Sequence, residues 1–195
     1  MASPRVVLTG GPCAGKTTIA QVLERAFAEQ LVILPESASM LFKGGFPRWS
    51  EEAALKSLQR AIFHVQNEIE TLYAGHFPGK MLVMDRGTID GAAYWPEGAE
   101  SYFKDVGTTF EAELKRYDTV IYLESAGQQA YETNRRRNPA RTETWEEARK
   151  LDERTHSMWA RHPNIFVIHN NVSFSEKISA ALKHVEGFFQ SKSSL

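Results

Sequence analysis

Eight consecutive residues, Gly10-Gly11-Pro12-Cys13-Ala14-Gly15-Lys16-Thr17, have the types and spacing to do chemistry on phosphates. They satisfy the pattern G-x-x-x-x-G-K-[ST]. Glycines let a backbone curl until its N–H groups point at phosphate oxygens, and the N-terminus of a following helix strengthens that field. Lys16 would set a cation on the β- and γ-phosphates, and the Thr17 hydroxyl would ligate Mg²⁺, with Thr18 next in the binding segment. The alternative is a chance glycine-rich turn. Context argues against it: the apolar run Val6-Val7-Leu8 precedes the segment, and Ile19, Val22, Leu23, Ala26 and Phe27 recur behind it at helical spacing. Cys13 can be read as a thiol acidified near a helix N-terminus, or simply as a small residue that fits the loop.

Two acidic segments and one basic segment could complete such a site. Leu34-Pro35-Glu36-Ser37 and Met84-Asp85-Arg86-Gly87 each follow an apolar run, where ligands sit in open α/β sheets. Either carboxylate alone could be a helix cap or a solvated group. Together they offer what phosphoryl transfer requires: a base near an attacking hydroxyl and a carboxylate near Mg²⁺. Arg135-Arg136-Arg137-Asn138-Pro139-Ala140-Arg141 supplies cations, and Pro139 should break a helix there. A solvated basic turn is the plain reading of that run. A lid of about residues 134–144, closing Arg137 and Arg141 over the phosphates, is the functional one.

The elements that must position these residues are readable from periodicity. Val6–Leu8, Leu31–Leu34, Met81–Met84, Thr119–Leu123 and Ile165–Ile168 are continuous apolar runs, as expected for parallel strands covered on both faces. Helix-like segments separate them. Ser50 precedes one whose apolar face is Leu55, Leu58, Ile62, Val65, Ile69 and Leu72. Capping-box patterns stand at Thr108…Glu111, Thr144…Glu147 and Ser173…Glu176. The expected fold is α/β: a P-loop NTPase domain over residues 1–195, with a five-stranded parallel sheet, helices on both faces and a mobile Arg-rich lid.

Composition narrows the function classes. A formal charge of −1 leaves no basic field for nucleic acid or a membrane surface. No apolar stretch approaches the roughly twenty residues that cross a bilayer, and the run after Arg5 is broken at Thr9, so it makes no signal peptide. Cys13 is the only cysteine, which fits a reducing cytoplasm. The histidines show no ligand spacing for zinc. Phe46, Trp49, Tyr94 and Trp95 fall near expected strand ends, where they would either stack on a planar acceptor or fill the core.

With these motifs in place the chain resembles the small P-loop kinases, above all deoxyribonucleoside kinases, with thymidylate kinases and nicotinamide riboside kinase domains as wider relatives. The resemblance runs over most of the chain as an order of motifs. It implies that Glu36, in its Pro-Glu context, takes the proton from a sugar hydroxyl, and that Asp85 and Arg86 contact Mg²⁺ and the reacting oxygens. It implies that Gln66, in Phe63-His64-Val65-Gln66, pairs with a base, and that Glu146 contacts the sugar. Asp90 falls close to another family carboxylate. The chain departs from the pattern at Gly87, where the family carries serine, and in the loop Lys43-Gly44-Gly45-Phe46-Pro47. Both departures lie on the acceptor side. Read from the helix alone, Gln66 could equally lie on a solvent face.

The expectation is therefore an ATP- and Mg²⁺-dependent kinase for a hydroxyl of a small, nucleoside-like acceptor. Homodimerisation stays open. The competing expectations are a nucleoside-monophosphate kinase, with Arg86 clamping an acceptor phosphate, and an NTP-binding switch or ATPase module acting on a partner protein.

Overall fold

The structure, a computed structural model, describes residues 3–137 and 143–193. Five strands form one parallel sheet: β1 (Arg5–Gly10), β2 (Leu31–Leu34), β3 (Met81–Asp85), β4 (Thr119–Leu123) and β5 (Ile165–Ile168). Their order across the sheet is β2-β3-β1-β4-β5. The chain leaves β1 for the far edge, returns to β3, then crosses to β4 on the other side. That reversal opens a crevice at the carboxyl end of β1, where open α/β sheets bind ligands.

Both faces of the sheet are covered, which is why the strands read as unbroken apolar runs. Val7, Leu82, Met84, Val120 and Tyr122 pack with α3 (Glu52–His76), α4 (Ala99–Asp105), α5 (Phe110–Leu114) and α7 (Trp145–Trp159). Val6, Leu8, Val83, Ile121 and Leu123 pack on the other face with α1 (Lys16–Ala26) and α8 (Phe174–Ser193). The short α2 (Ser37–Lys43) follows β2, and α6 (Gln128–Arg137) follows β4.

Three local expectations change in the folded chain. The capping boxes at Thr144/Glu147 and Ser173/Glu176 form. At α5, however, Thr109 is the cap, accepting from Ala112 N, while Thr108 donates instead to Glu113 Oε1 at 2.9 Å. The N-cap position of the long helix α3 is Glu51, not Ser50, and its side chain makes no capping bond. Its buried stripe is also rotated from the expected one: Leu58, Gln59, Phe63, Gln66, Ile69 and Glu70 face inward, and Leu72 is 66% exposed. Apolar periodicity misplaces this face because polar residues buried with partners carry no apolar signal. Trp95 is core, its ring 5.4 Å from that of Tyr102, whereas Trp49 is exposed. The lid expected at about 134–144 lies partly outside the described residues, which include neither Arg141 nor the Arg137 side chain.

Candidate functional site

The loop from Gly10 to Gly15 joins β1 to α1 through three left-handed positions, Gly10, Cys13 (φ 59°) and Gly15 (φ 95°). Gly15 stands just before α1, where its conformation directs the first amides of the helix into the loop. Lys16 Nζ donates to the carbonyls of Gly10 and Gly11, both at 2.9 Å, so the ammonium is already held over the loop. Burial, then the Arg86 guanidinium, lowers its pKa to about 8, against the pull of Asp85, Glu36 and Asp90. It stays cationic at neutral pH.

Gly11 is where the rest of the fold presses on this loop. A Cβ there would stand 2.0 Å from Ser125 Oγ and 2.6 Å from Asp152 Cγ. Asp152, on α7, accepts from Ser125 N at 2.9 Å and from the Tyr122 hydroxyl. Nothing in the sequence marks Asp152, one carboxylate among many on a charged helix. Gly11→Ala is accordingly expected to overpack the site and cost about 1–3 kcal/mol of stability. Denaturation midpoints of the two proteins check it, and a parent-like midpoint would show that α7 does not hold the loop this tightly.

The sheet register brings the acidic segments to the same edge. Leu8 pairs with Asp85, and Leu34 with Met84, so the chain leaves β1, β2 and β3 on one side of the crevice. Glu36 sits at the N-terminus of α2, where Oε1 accepts from Arg86 Nε at 3.1 Å and Oε2 from Ser39 Oγ at 2.5 Å. Burial works to raise its pKa, but Arg86, the Ser39 hydroxyl and Lys16 together hold it below the ordinary glutamate range. Asp85 behaves oppositely. Its Oδ1 is buried and has no hydrogen-bond partner among the described residues. Burial and then the Glu36 charge raise its pKa to about 6, with Lys16 and Arg86 limiting the shift.

Arg86 is the hub. Its backbone is left-handed (φ 75°), a conformation that costs a non-glycine residue free energy and points to a constrained site. Beyond Glu36 it reaches Asp90 Oδ1 at 3.0 Å and the Gly10 carbonyl at 3.4 Å. Burial alone would weaken its cation, but Tyr94, Asp90, Glu36 and Asp85 around it keep it charged. Asp90, 4% exposed, also accepts from Thr9 Oγ1 (2.5 Å), Gly87 N (3.0 Å) and Trp159 Nε1 (3.1 Å). So many internal partners make Asp90 a brace that holds Arg86.

The remaining residues are placed less centrally. Gln66 is buried (3% exposed), not solvent-facing; Ser37 Oγ donates to its Oε1 at 2.7 Å, and its Nε2 donates to Glu70 Oε1 at 3.0 Å. Gln59, two turns earlier on the same face, is 5% exposed, and among the described residues its amide makes no hydrogen bond. It lies against Gly91, in the 3₁₀ turn Asp90–Tyr94: a Cβ on that glycine would be 3.2 Å from Gln59 Oε1. No spacing rule singles Gln59 out. Glu146 is exposed in the first turn of α7, away from these bonds.

The residues present fit a hard divalent cation beside the loop. The orphaned Oδ1 of Asp85 and the exposed Thr17 hydroxyl are oxygen donors, as Mg²⁺ prefers. Among the described residues no group of three or more His, Cys, Asp or Glu forms a metal cage, and Mg²⁺ held partly by phosphates needs none. Two cavities of about 450 and 710 Å³ lie elsewhere, lined by residues such as His184 and Lys183 or Phe103 and Arg161. Neither includes a residue of this cluster. No helix among the described residues is long and apolar enough to cross a membrane.

A family model described as an AAA domain matches residues 5–177. Among solved structures, deoxyadenosine kinase from M. mycoides with bound dATP is similar with a TM-score of 0.65 at 14% identity, over 94% of this chain and 99% of that one. No curated protein matches the chain.

Proposed function

The chain belongs to the AAA domain family of P-loop proteins, and from that premise we propose that it is an ATP-dependent kinase that phosphorylates a hydroxyl of a small, nucleoside-like molecule. One observation carries the reading. Lys16, Glu36 and the adjacent pair Asp85-Arg86, from three separate segments of the chain, converge at one sheet edge around the phosphate loop. The likeness of the fold to a solved deoxyadenosine kinase supports it.

In this reading the loop amides and Lys16 hold the β- and γ-phosphates of ATP. Thr17 and Asp85 would hold Mg²⁺, which when bound would supply neutralising charge for those phosphates. Glu36, kept ionised by Arg86 and Ser39, accepts the proton of the attacking hydroxyl. Arg86 faces the charge that develops, with Arg137 and Arg141 closing from the lid. Two carboxylates, Glu36 and Asp90, already hold Arg86, which disfavours a role as clamp for an acceptor phosphate. The unsubstituted nucleoside is therefore the preferred acceptor over its monophosphate.

A coupled assay with MgATP and a panel of nucleosides, monophosphates and other small alcohols tests this. Acceptor-dependent ADP release with a phosphorylated nucleoside is the expected result. ADP release at the same rate with every acceptor omitted would overturn it in favour of an ATPase module.

Gln59, with its uncommitted amide beside the turn that carries Asp90 and Tyr94, is the residue placed to read a planar ring edge. Gln59→Leu is expected to cost the preferred acceptor about 1–3 kcal/mol in kcat/KM and a ring without a polar edge much less. Gln66→Leu should instead cost stability and lower the rate on both acceptors alike, because Ser37 and Glu70 lose a buried partner whichever ring is bound. Kinetics on both acceptors, with melting curves, separate the two glutamines. A selective loss in Gln66→Leu and none in Gln59→Leu would reverse the assignment.

A further inference from the structure

Behind the acid cluster lies a second buried polar system that the proposed reaction does not touch. Glu70 of α3 has no solvent exposure. Its Oε1 accepts from Gln66 Nε2 and from the Tyr117 hydroxyl, both at 3.0 Å. Its Oε2 accepts from Arg5 Nη1 at 3.1 Å and Arg116 Nη2 at 2.6 Å. A buried ion pair of this kind is weak evidence for stability, since desolvation offsets most of its attraction. Its directional bonds do something more specific: they lead to both acidic segments.

One arm runs through Gln66 to Ser37, whose hydroxyl donates to Gln66 Oε1 at 2.7 Å and whose backbone directly follows Glu36. The other runs through Tyr117, whose hydroxyl oxygen accepts from Thr88 N at 2.9 Å and lies 2.9 Å from Thr88 Oγ1. Thr88 also donates to Glu113 Oε2 at 2.7 Å, and its carbonyl accepts from the Tyr102 hydroxyl at 3.1 Å. Thr88 stands two residues after Arg86, whose left-handed backbone persists only if its surroundings over-determine it. Burial and the Glu70 charge raise the Tyr117 pKa well above the ordinary tyrosine range, so the hydroxyl keeps the proton it donates.

We propose that Glu70 is a positioning residue: through Gln66 and Ser37 on one side, and Tyr117 and Thr88 on the other, it holds Glu36 against Arg86 at the 3.1 Å of their ion pair, where the proposed reaction needs them. The inference rests on the kinase reading above. Transfer is sensitive to such placement, because a misplacement of about 1 Å can cost on the order of a hundredfold in rate.

Glu70→Gln keeps the shape but weakens both arms. It is expected to lower kcat by roughly ten- to a hundredfold while both KM values stay within about twofold. Ser37→Ala and Tyr117→Phe each cut one arm and should lower kcat in the same way, which keeps the test open should Glu70→Gln fail to fold. Arg5→Met is the control: it removes a cation from Glu70 but leaves both arms, so the Tm falls and kcat does not. A second readout is independent of turnover. The ¹⁵N–¹H signal of Arg86 Nε, bonded to Glu36, should shift in the three arm variants and stay in place in Arg5→Met. Parent-like kcat and an unmoved Arg86 signal in the arm variants would overturn the proposal. So would an equal kcat loss in Arg5→Met at equal Tm. If the parent transfers phosphate to no acceptor, the kinase reading falls and the Arg86 signal alone decides whether Glu70 sets the geometry.

Discussion

Lys16→Ala is expected to lower kcat by at least about a hundredfold, the size of losing one preorganised charge at a developing anion. In the proposed reaction one residue carries this much for a geometric reason. The ammonium rests on the Gly10 and Gly11 carbonyls, so it stands where phosphates enter the loop before any arrive. Little side-chain ordering remains to be done on binding. Lys16 also draws down the pKa of both Glu36 and Asp85, so its removal makes both carboxyls harder to ionise. The loss should fall on turnover more than on ATP affinity, because the loop amides still contact the phosphates. Steady-state kinetics on both proteins, with ATP binding by titration and a melting curve to exclude unfolding, measure it. Parent-like turnover would sink the phosphoryl-transfer reading.

The second large effect separates the two carboxylates. Glu36→Gln should keep MgATP affinity and lower kcat by roughly a hundredfold or more, since an amide cannot take the hydroxyl proton. The amide oxygen can still accept from Arg86 Nε, so the packing of the cluster is largely kept. Asp85→Asn should act differently. Its Oδ1 is buried and unpartnered, and its pKa of about 6 leaves it mostly ionised at neutral pH, suited to a cation. The neutral amide is expected to move the Mg²⁺ dependence to higher concentration, with part of the rate recovered at saturating metal. Rate against Mg²⁺ for both variants decides the matter. A metal-independent loss in Asp85→Asn beside a metal-dependent one in Glu36→Gln would mean that the base is Asp85.

Much of this site is legible in the sequence where its determinants are local. The phosphate loop is one contiguous segment, its conformation set by glycines and by the strand and helix on either side, so eight residues suffice to find it. The five strands are legible because two covered faces demand unbroken apolar runs, and every residue from Met81 to Met84 is fully buried. Pro35-Glu36 and Asp85-Arg86 stand out because each closes such a run.

Tertiary structure alone decided which polar groups meet. The order β2-β3-β1-β4-β5 puts Glu36 within reach of Arg86, and no local pattern states that order. Gln59 and Gln66 share one face of α3 and look alike in sequence, yet Ser37 and Glu70 occupy the second and leave the first uncommitted. Asp90 looks like an acceptor-side carboxylate until Thr9, Arg86, Gly87 and Trp159 are found around it. Asp152 reaches the loop only because α7 packs over the crevice. The physical reason is common to all four. Apolar periodicity records which faces are removed from water, a property of one segment at a time. A hydrogen bond or ion pair belongs to two segments, and its partner is chosen by how the packed faces bring them together.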